Sequence, residues 1–163
     1  MTERRSLILF EDDVNRVVQA LGPYQERTRT RANLLIDTEG HVLAQTGKPD
    51  VQLETIAALV AASVSATRNV AGILAPDEFL TLTHAGKKNS IQLTQLAAGA
   101  VLATVFDSKT TVGAVVFYLK EVVESVGAVL VAARDRKDKQ VDLGAGFDDA
   151  AKGALDDMFG GDT

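Results

Sequence analysis

The sequence predicts an α+β sandwich, in which one five-stranded antiparallel sheet carries helices on its faces. Apolar residues recur at helical spacing in three segments, residues 10–26, 53–74 and 111–134. Short apolar runs typical of strands separate them, two before the second helical segment and three after it. The predicted order is α-β-β-α-β-β-β-α, followed by an amphipathic C-terminal tail helix.

Composition limits the classes of function. The chain has 163 residues, of which 46% are hydrophobic, enough for one domain with a buried core. The absence of cysteine excludes disulfides, thiol nucleophiles and thiolate metal sites, and suits a reducing compartment such as the cytoplasm. A net charge of −5 disfavours nucleic-acid binding. The N-terminal apolar run is too short for a secretory signal, and no run of roughly 18 uncharged apolar residues predicts a membrane span.

The first helix and hairpin follow from local patterns. We expect the helix over residues 10–26 to carry its acids early and to be interrupted at Gly22-Pro23. Its apolar stripe is Phe10, Val14, Val17, Val18 and Leu21. The runs 32–37 and 41–46 around Gly40 predict a β-hairpin. Arg27, Arg29 and Arg31 alternate as on one face of an entering strand, which indicates a solvated face or, less favoured, an anion site.

The second predicted helix has an unusual back face. Large residues fall on one side, namely Leu53, Ile56, Leu59, Val60, Val64, Val70 and Leu74. Small ones fall on the other, namely Ala58, Ala61, Ala62, Ser65, Asn69 and Gly72. Alanine is a good helix former anywhere. The stripe nevertheless lacks lysine and glutamate, which a solvated face normally has, and this favours an interface.

Three strands and two helical pieces complete the prediction. We expect strands at 79–84, 91–95 and 100–106, and a valine-rich helix at 111–134 because its periodicity outranks strand propensity. Residues 141–146 read as a loop before a short acidic helix, whose stripe is Phe147, Ala151, Leu155, Met158 and Phe159. The chain thus divides into a domain, 1–136, and a linker with an acidic tail, 137–163. The tail docks either on its own domain or in a groove on a partner.

No motif predicts an active site. His41 and His84 lie far apart and lack an i, i+4 partner of metal-ligand type, and no serine lies in a Gly-x-Ser-x-Gly elbow. Residues 86–90 look faintly like a phosphate loop, but they join two strands and better fit a hairpin turn. Arg68 is either a surface arginine or, less favoured, an arginine finger. We therefore expect no catalytic residue, metal or cofactor, and a function exerted by binding another protein.

Several weak motifs in a specific order resemble the Roadblock/dynein light chain superfamily and, within it, the MglB-like regulators of small Ras-like, MglA-type GTPases. The motifs are Leu7–Glu11, Leu35-Ile36-Asp37 with Gly40, Leu59-Val60-Ala61, Phe79, His84–Lys87, Val105-Phe106-Asp107 with Gly113, and Leu155–Phe159. Arg68 and Asn69 stand where that pattern has smaller residues.

This resemblance implies a homodimer, formed by second helices and edge strands, that binds one GTPase asymmetrically. It implies faster GTP hydrolysis through repositioning of the GTPase's own residues, with GTP and magnesium belonging to the partner. A non-catalytic dimeric scaffold for GTPase or polarity-protein complexes is the alternative. The resemblance also implies that the protein acts in bacterial cell polarity and motility and is located at a cell pole. The expected partner-binding residues are Ala58, Ala61, Ala62, Ser65, Ala66, Asn69, Leu155, Met158 and Phe159.

Overall fold

The structure is a computed structural model that describes residues 6–48, 50, 52–74 and 81–159. Its elements are α1 (Glu11–Thr28), β1 (Ala32–Ile36), β2 (Val42–Gly47), α2 (Leu53–Leu74), β3 (Thr81–Ala85), β4 (Asn89–Gln95), β5 (Val101–Asp107) and α3 (Val112–Phe159). The predicted element order and the α+β class are confirmed. Phe79, where the third strand was predicted to begin, lies outside the described residues.

The strands form one antiparallel sheet in the order β2-β1-β5-β4-β3. Successive side chains of a strand point to opposite faces. Leu34 and Ile36 of β1 therefore pack on the α2 side, whereas Leu35 packs with α1 and α3. Because both faces of β1 are covered, its residues are all buried, and the strand reads as a continuous run instead of an alternating one.

Two cores lie on the two faces of the sheet. Helices α1 and α3 share one face, where Val17 and Leu21 meet Leu102, Val126 and other buried residues of β5 and α3. Helix α2 alone packs on the other face. The three helices are thus unequally divided between the faces.

Helix α1 does not break at Gly22-Pro23, and the predicted interruption is wrong. The helix continues to Thr28 although Pro23 removes one backbone donor. Tyr24 explains this continuity, because its side chain is buried and its hydroxyl lies 3.4 Å from both Thr104 Oγ1 and the Val115 carbonyl oxygen. Tertiary packing thus holds the last turn in place.

The three alternating arginines do not lie on one strand face, so that prediction is also wrong. Arg27 is in the last turn of α1, and Arg29 caps the helix in the left-handed region with φ 53°. Arg31 precedes β1. Arg27 pairs with Glu121 of α3 at 3.0 Å, and Arg31 pairs with Asp50 at 2.8 Å.

Helix α3 runs without a break from Val112 to Phe159, so the loop predicted at residues 141–146 is wrong. Glycine inside a helix costs only about 1 kcal/mol relative to alanine, and no proline interrupts this part of the sequence. The predicted tail is therefore the end of one long helix. The division of the chain at 136/137 stays a prediction.

A partly buried ion pair connects α1 to α3. The carboxylate of Asp13 is almost fully buried, accepts a hydrogen bond from the Phe10 backbone N–H at 3.0 Å, and accepts two from the Arg136 guanidinium. The guanidinium carbon also lies 5.0 Å from the centre of the Phe10 ring. The Arg136 hydrogen bonds hold the pKa of Asp13 below its ordinary value, against the opposing effect of burial.

Replacing Asp13 with asparagine should lower the free energy of unfolding at pH 7 by about 1–3 kcal/mol, because Arg136 loses its charged partner. A carboxyl group whose pKa is lower in the folded than in the unfolded state stabilises the fold at pH values above its unfolded pKa. This stabilisation is lost as the pH falls through the folded pKa. The difference between the two proteins should therefore shrink below pH 3.8, the ordinary value for Asp13.

Urea unfolding at pH 7 and at acidic pH measures this difference. Asp12→Asn is the matched control, since Asp12 is an exposed neighbour in the same helical turn. Equal destabilisation by both substitutions would contradict the assignment to the Asp13–Arg136 pair.

Candidate functional site: the outer face of α2

Helix α2 rests on the sheet through a narrow inner stripe. Ala57, Val60 and Val64 are buried against the β-strand residues Leu34, Ile36, Leu93, Val101 and Ala103. Ala57 has no exposed surface, and its small side chain allows the helix backbone to approach the sheet closely. The inner stripe therefore uses small as well as branched side chains.

Gly40 brings the β1–β2 turn against the same helix. Its φ of 93° lies in the left-handed region that favours glycine. A Cβ at this position would lie 3.1 Å from Ala58 Cα and 3.4 Å from the Ala57 carbonyl oxygen. The turn and the α2 backbone are thus in close contact, and this contact fixes the first half of the helix.

The small residues predicted for partner binding do reach the surface. Ala58, Ala62, Ala66 and Asn69 are exposed, whereas Ala61 and Ser65 are half-buried. The predicted small-residue face therefore exists, and its centre lies opposite the inner stripe.

Large apolar residues lie on this surface as well. Leu59 is 63% exposed, Val70 54% and Ile73 84%. Leu59 and Val70 were predicted to lie on the side of the helix away from the small residues, but they lie exposed beside them, because Ala57 and Ala71 occupy the inward positions. We call the exposed set Ala58, Leu59, Ala62, Ala66, Asn69, Val70 and Ile73 the outer face of α2.

The outer face contains an apolar stripe with helical spacing. Leu59, Ala62, Ala66, Val70 and Ile73 follow one another at steps of three or four residues. Contiguous exposed apolar surfaces are typical of interaction sites, and this stripe is therefore the candidate functional site. The absence of lysine and glutamate from this surface was the signal available in the sequence.

The apolar character of α2 extends along its whole length. By length and composition alone, Leu53–Ile73 passes as a membrane-spanning helix, although the sequence offered no long uncharged run because Glu54 and Arg68 interrupt it. Core helices of soluble proteins pass the same test. Ala57, Val60 and Val64 pack on the sheet, which identifies α2 as an element of the folded domain. Only 17% of the residues in the most apolar 18-residue stretch of this helix are buried, so the other residues of that stretch are half-buried or exposed.

Arg68 is neither a free arginine finger nor a fully solvated surface residue. Its side chain is half-buried, and its Nη2 donates a hydrogen bond to the Gly99 carbonyl oxygen at 3.3 Å. It thereby ties α2 to the β4–β5 connection, and the outer face offers no cationic group for catalysis.

The predicted tail residues lie apart from the α2 residues. Leu155, Met158 and Phe159 are 52%, 75% and 80% exposed at the end of α3, which packs on the opposite face of the sheet. Leu143 and Phe147 are exposed on the same stretch of helix. Within the described residues the tail therefore presents an apolar stripe to solvent, and the nine predicted residues form two surfaces.

Residues 17–106 match the Roadblock/LC7 domain family, and this range covers α1 after its first turns, α2 and the sheet up to Phe106 in β5. The chain belongs to the Roadblock/LC7 domain family. The gliding protein MglB from Thermus thermophilus is 30% identical over 78% of this chain and 98% of its own, with a TM-score of 0.71.

Two further structures are similar to this Roadblock protein. An MglB structure with a tetrameric arrangement is 30% identical over 78% of this chain and 97% of its own, with a TM-score of 0.73. MglB from Myxococcus xanthus, at 21% identity and a TM-score of 0.71 over 78% of this chain and 96% of its own, supports the fold. No curated protein has significant sequence similarity to the chain.

One acidic cluster in this Roadblock domain organises a turn. His41 does have a carboxylate four residues away, contrary to prediction: its Nδ1 lies 3.0 Å from Asp37 Oδ2, and Glu39 completes the group. Burial opposes ionisation of Asp37, but hydrogen bonds from the His41 and Glu39 backbone N–H groups and the His41 ring outweigh it and lower its pKa. Asp37 in turn raises the pKa of His41. These hydrogen bonds give the cluster a structural role, because they hold the β1–β2 turn together.

Replacing Gly40 with alanine should lower the free energy of unfolding by about 1–3 kcal/mol, because the new Cβ is strained at positive φ and meets the α2 backbone. Chemical denaturation measures the change. Gly127→Ala is the control: a Cβ there meets nothing within 4 Å, and alanine should stabilise the α3 helix by about 0.5–1 kcal/mol. Effects of the same sign would contradict the close contact at Gly40.

Proposed function

We propose that this Roadblock protein is a homodimeric regulator that binds a small Ras-like, MglA-type GTPase and stimulates its GTP hydrolysis. The observation that carries the proposal is the exposed, uncharged outer face of α2. Burying Leu59, Val70 and Ile73 against a partner would contribute about 1.5–3 kcal/mol for each fully covered side chain. The small residues beside them allow a partner's backbone to approach closely.

The chemistry of the outer face supports an indirect effect on hydrolysis. It offers methyl groups, the Asn69 amide and, at its margin, the Ser65 hydroxyl, none of which can replace an arginine finger. Catalytic groups, GTP and Mg²⁺ then belong to the GTPase, and this protein acts by holding them in the reactive arrangement. It is accordingly an accessory activator rather than an enzyme.

Two features support self-association. Strand β3 is an edge strand with exposed Thr81, Thr83, His84 and Ala85, so its outward backbone groups are open to another strand. Pairing of β3 and α2 with the same elements of a second copy would extend the sheet and bury part of the apolar stripe. The tetrameric arrangement of an MglB relative agrees with self-association through Roadblock domains.

We place this activity in the cytoplasm, at a cell pole, in the control of polarity or motility. The absence of cysteine suits a reducing compartment. The Thermus relative is described as a gliding protein, which supports a role in bacterial movement.

Replacing Ala62 with arginine should remove the stimulation of GTP hydrolysis, because the long charged side chain would stand at the centre of the apolar stripe. We expect the dissociation constant for the GTPase to rise about ten-fold or more, equivalent to at least about 1.4 kcal/mol. Ser65→Arg and Asn69→Arg should act in the same direction. Single-turnover GTP hydrolysis by an MglA-type GTPase, with and without this protein, measures the effect.

Ala132→Arg is the matched control, since Ala132 is an exposed alanine on α3. Light scattering of each variant separates loss of GTPase binding from loss of the dimer. An unchanged hydrolysis rate in the presence of demonstrated binding would contradict the activator role. That result, with co-purification of a third protein, would support the alternative function as a dimeric scaffold.

Deleting residues 142–163 should leave folding and dimerisation intact while weakening the effect on the GTPase. The removed stripe includes Leu155, Met158 and Phe159, whereas Arg136 and Lys137 tie α3 to the start of the domain upstream of the cut. Thermal unfolding and the hydrolysis assay are measured on the same protein. A large fall in the free energy of unfolding would show that the tail packs on its own domain.

A further inference from the structure

A cavity of about 450 Å³ opens on the α2 side of the sheet, beside the β3–β4 hairpin turn. Its apolar wall is formed by Ile56 of α2, Ile91 of β4 and Val105 of β5. Small-molecule sites in proteins have volumes of roughly 300–1,000 Å³ and are mostly apolar with a few polar groups. The size and the wall of this cavity suit a small ligand with an apolar body.

The guanidinium of Arg31 provides a polar group at this cavity. Its Nη1 donates to Asn89 Oδ1 at 3.2 Å, and its Nη2 donates to Asp50 Oδ2 at 2.8 Å. The Asn89 contact orients the guanidinium from the hairpin side. Asp50 has an 87% exposed side chain, so its ion pair with Arg31 is screened by water and contributes little free energy. A ligand carboxylate can therefore displace the Asp50 carboxylate.

The local charge also favours an anion. The hairpin turn next to Asn89 contains Lys87 and Lys88, both exposed, in a protein with a net charge of −5. His84 and Ser90 add polar groups to the lining. Gly86 keeps the turn tight, because a Cβ there would lie 2.4 Å from the Asn89 carbonyl oxygen. The residue that orients Arg31 is thus held by a sterically fixed turn.

We propose that this cavity binds an organic carboxylate with an apolar body, whose carboxylate takes the place of Asp50 on Arg31 and whose chain packs on Ile56, Ile91 and Val105. A short free acid and the C-terminal carboxylate of a peptide ending in an apolar residue share this chemistry. The site lies between α2 and the sheet and borders β3 at His84 and Ala85, whereas no residue of the outer face of α2 lines it.

Titration of the full-length protein with hexanoate, followed by amide chemical shifts, tests the site. We expect saturable shifts around Arg31, Ile91 and Val105, and at least about ten-fold weaker binding of hexanol, which lacks the charge. Arg31→Gln should weaken hexanoate binding by a similar factor. Asp50→Asn should strengthen it about two- to five-fold, because the competing carboxylate is removed. Arg29→Gln, a change at the exposed cap of α1, is the control and should leave affinity unchanged.

Two peptides distinguish the sources of the carboxylate. A pentapeptide ending in leucine with a free carboxylate should shift the same amides, and its C-terminal amide should not, if a peptide terminus fits the cavity. If hexanoate binds and the peptide with a free carboxylate does not, the site is assigned to small free acids. The absence of saturable shifts with both acids, or weaker binding to Asp50→Asn, would overturn the proposal. The spectra of the unbound variants show whether each one is folded.

Discussion

The number of helices on each face of the sheet is the constraint on which the rest of the structure depends. Five strands about 4.8 Å apart span roughly 19 Å, whereas one helix with its side chains is about 10–12 Å wide. Helices α1 and α3 together cover one face, but α2 alone lies on the other. Buried residues consequently concentrate in the central strands, while Leu82 and Ile91 of the β3 side stay half-buried. The part of the sheet that α2 leaves uncovered contains both the cavity and the exposed edge strand β3.

The same constraint makes α2 a helix with two apolar faces. Its inner stripe must bring the backbone close to the sheet and to Gly40, which selects small residues such as Ala57. Its outer face has no packing role within the described chain, yet Leu59, Val70 and Ile73 remain apolar there. Solvation alone would favour charged residues at those positions. Their apolar composition therefore supports the proposed binding of another protein to this face of α2.

The sequence pattern correctly predicted the features that depend on residues close together in the chain. Helical periodicity placed the three helices and short apolar runs placed the five strands along the chain, and the lack of charge located Ala58, Ala62 and Asn69 on an exposed face. The predictions failed where tertiary contacts decide: Tyr24 holds α1 together past Pro23, and Ala57 displaces Leu59 from the inward position. The cavity at Arg31 could not be predicted, because its lining comes from five separate parts of the chain.

The ion pair between Asp13 and Arg136 lies near the end of the part of α3 that packs on the domain. From Lys137 to Phe159 the helix extends about 33 Å at 1.5 Å per residue. An isolated helix of this length, with several glycines in its sequence, would be marginal in water because nucleation is unfavourable. Here the packed part of α3 supplies the nucleus, so the tail only has to propagate the helix. A partner that binds the stripe containing Leu155 and Phe159 then orders less of the chain, and loses less affinity to conformational entropy, than if the tail were unfolded.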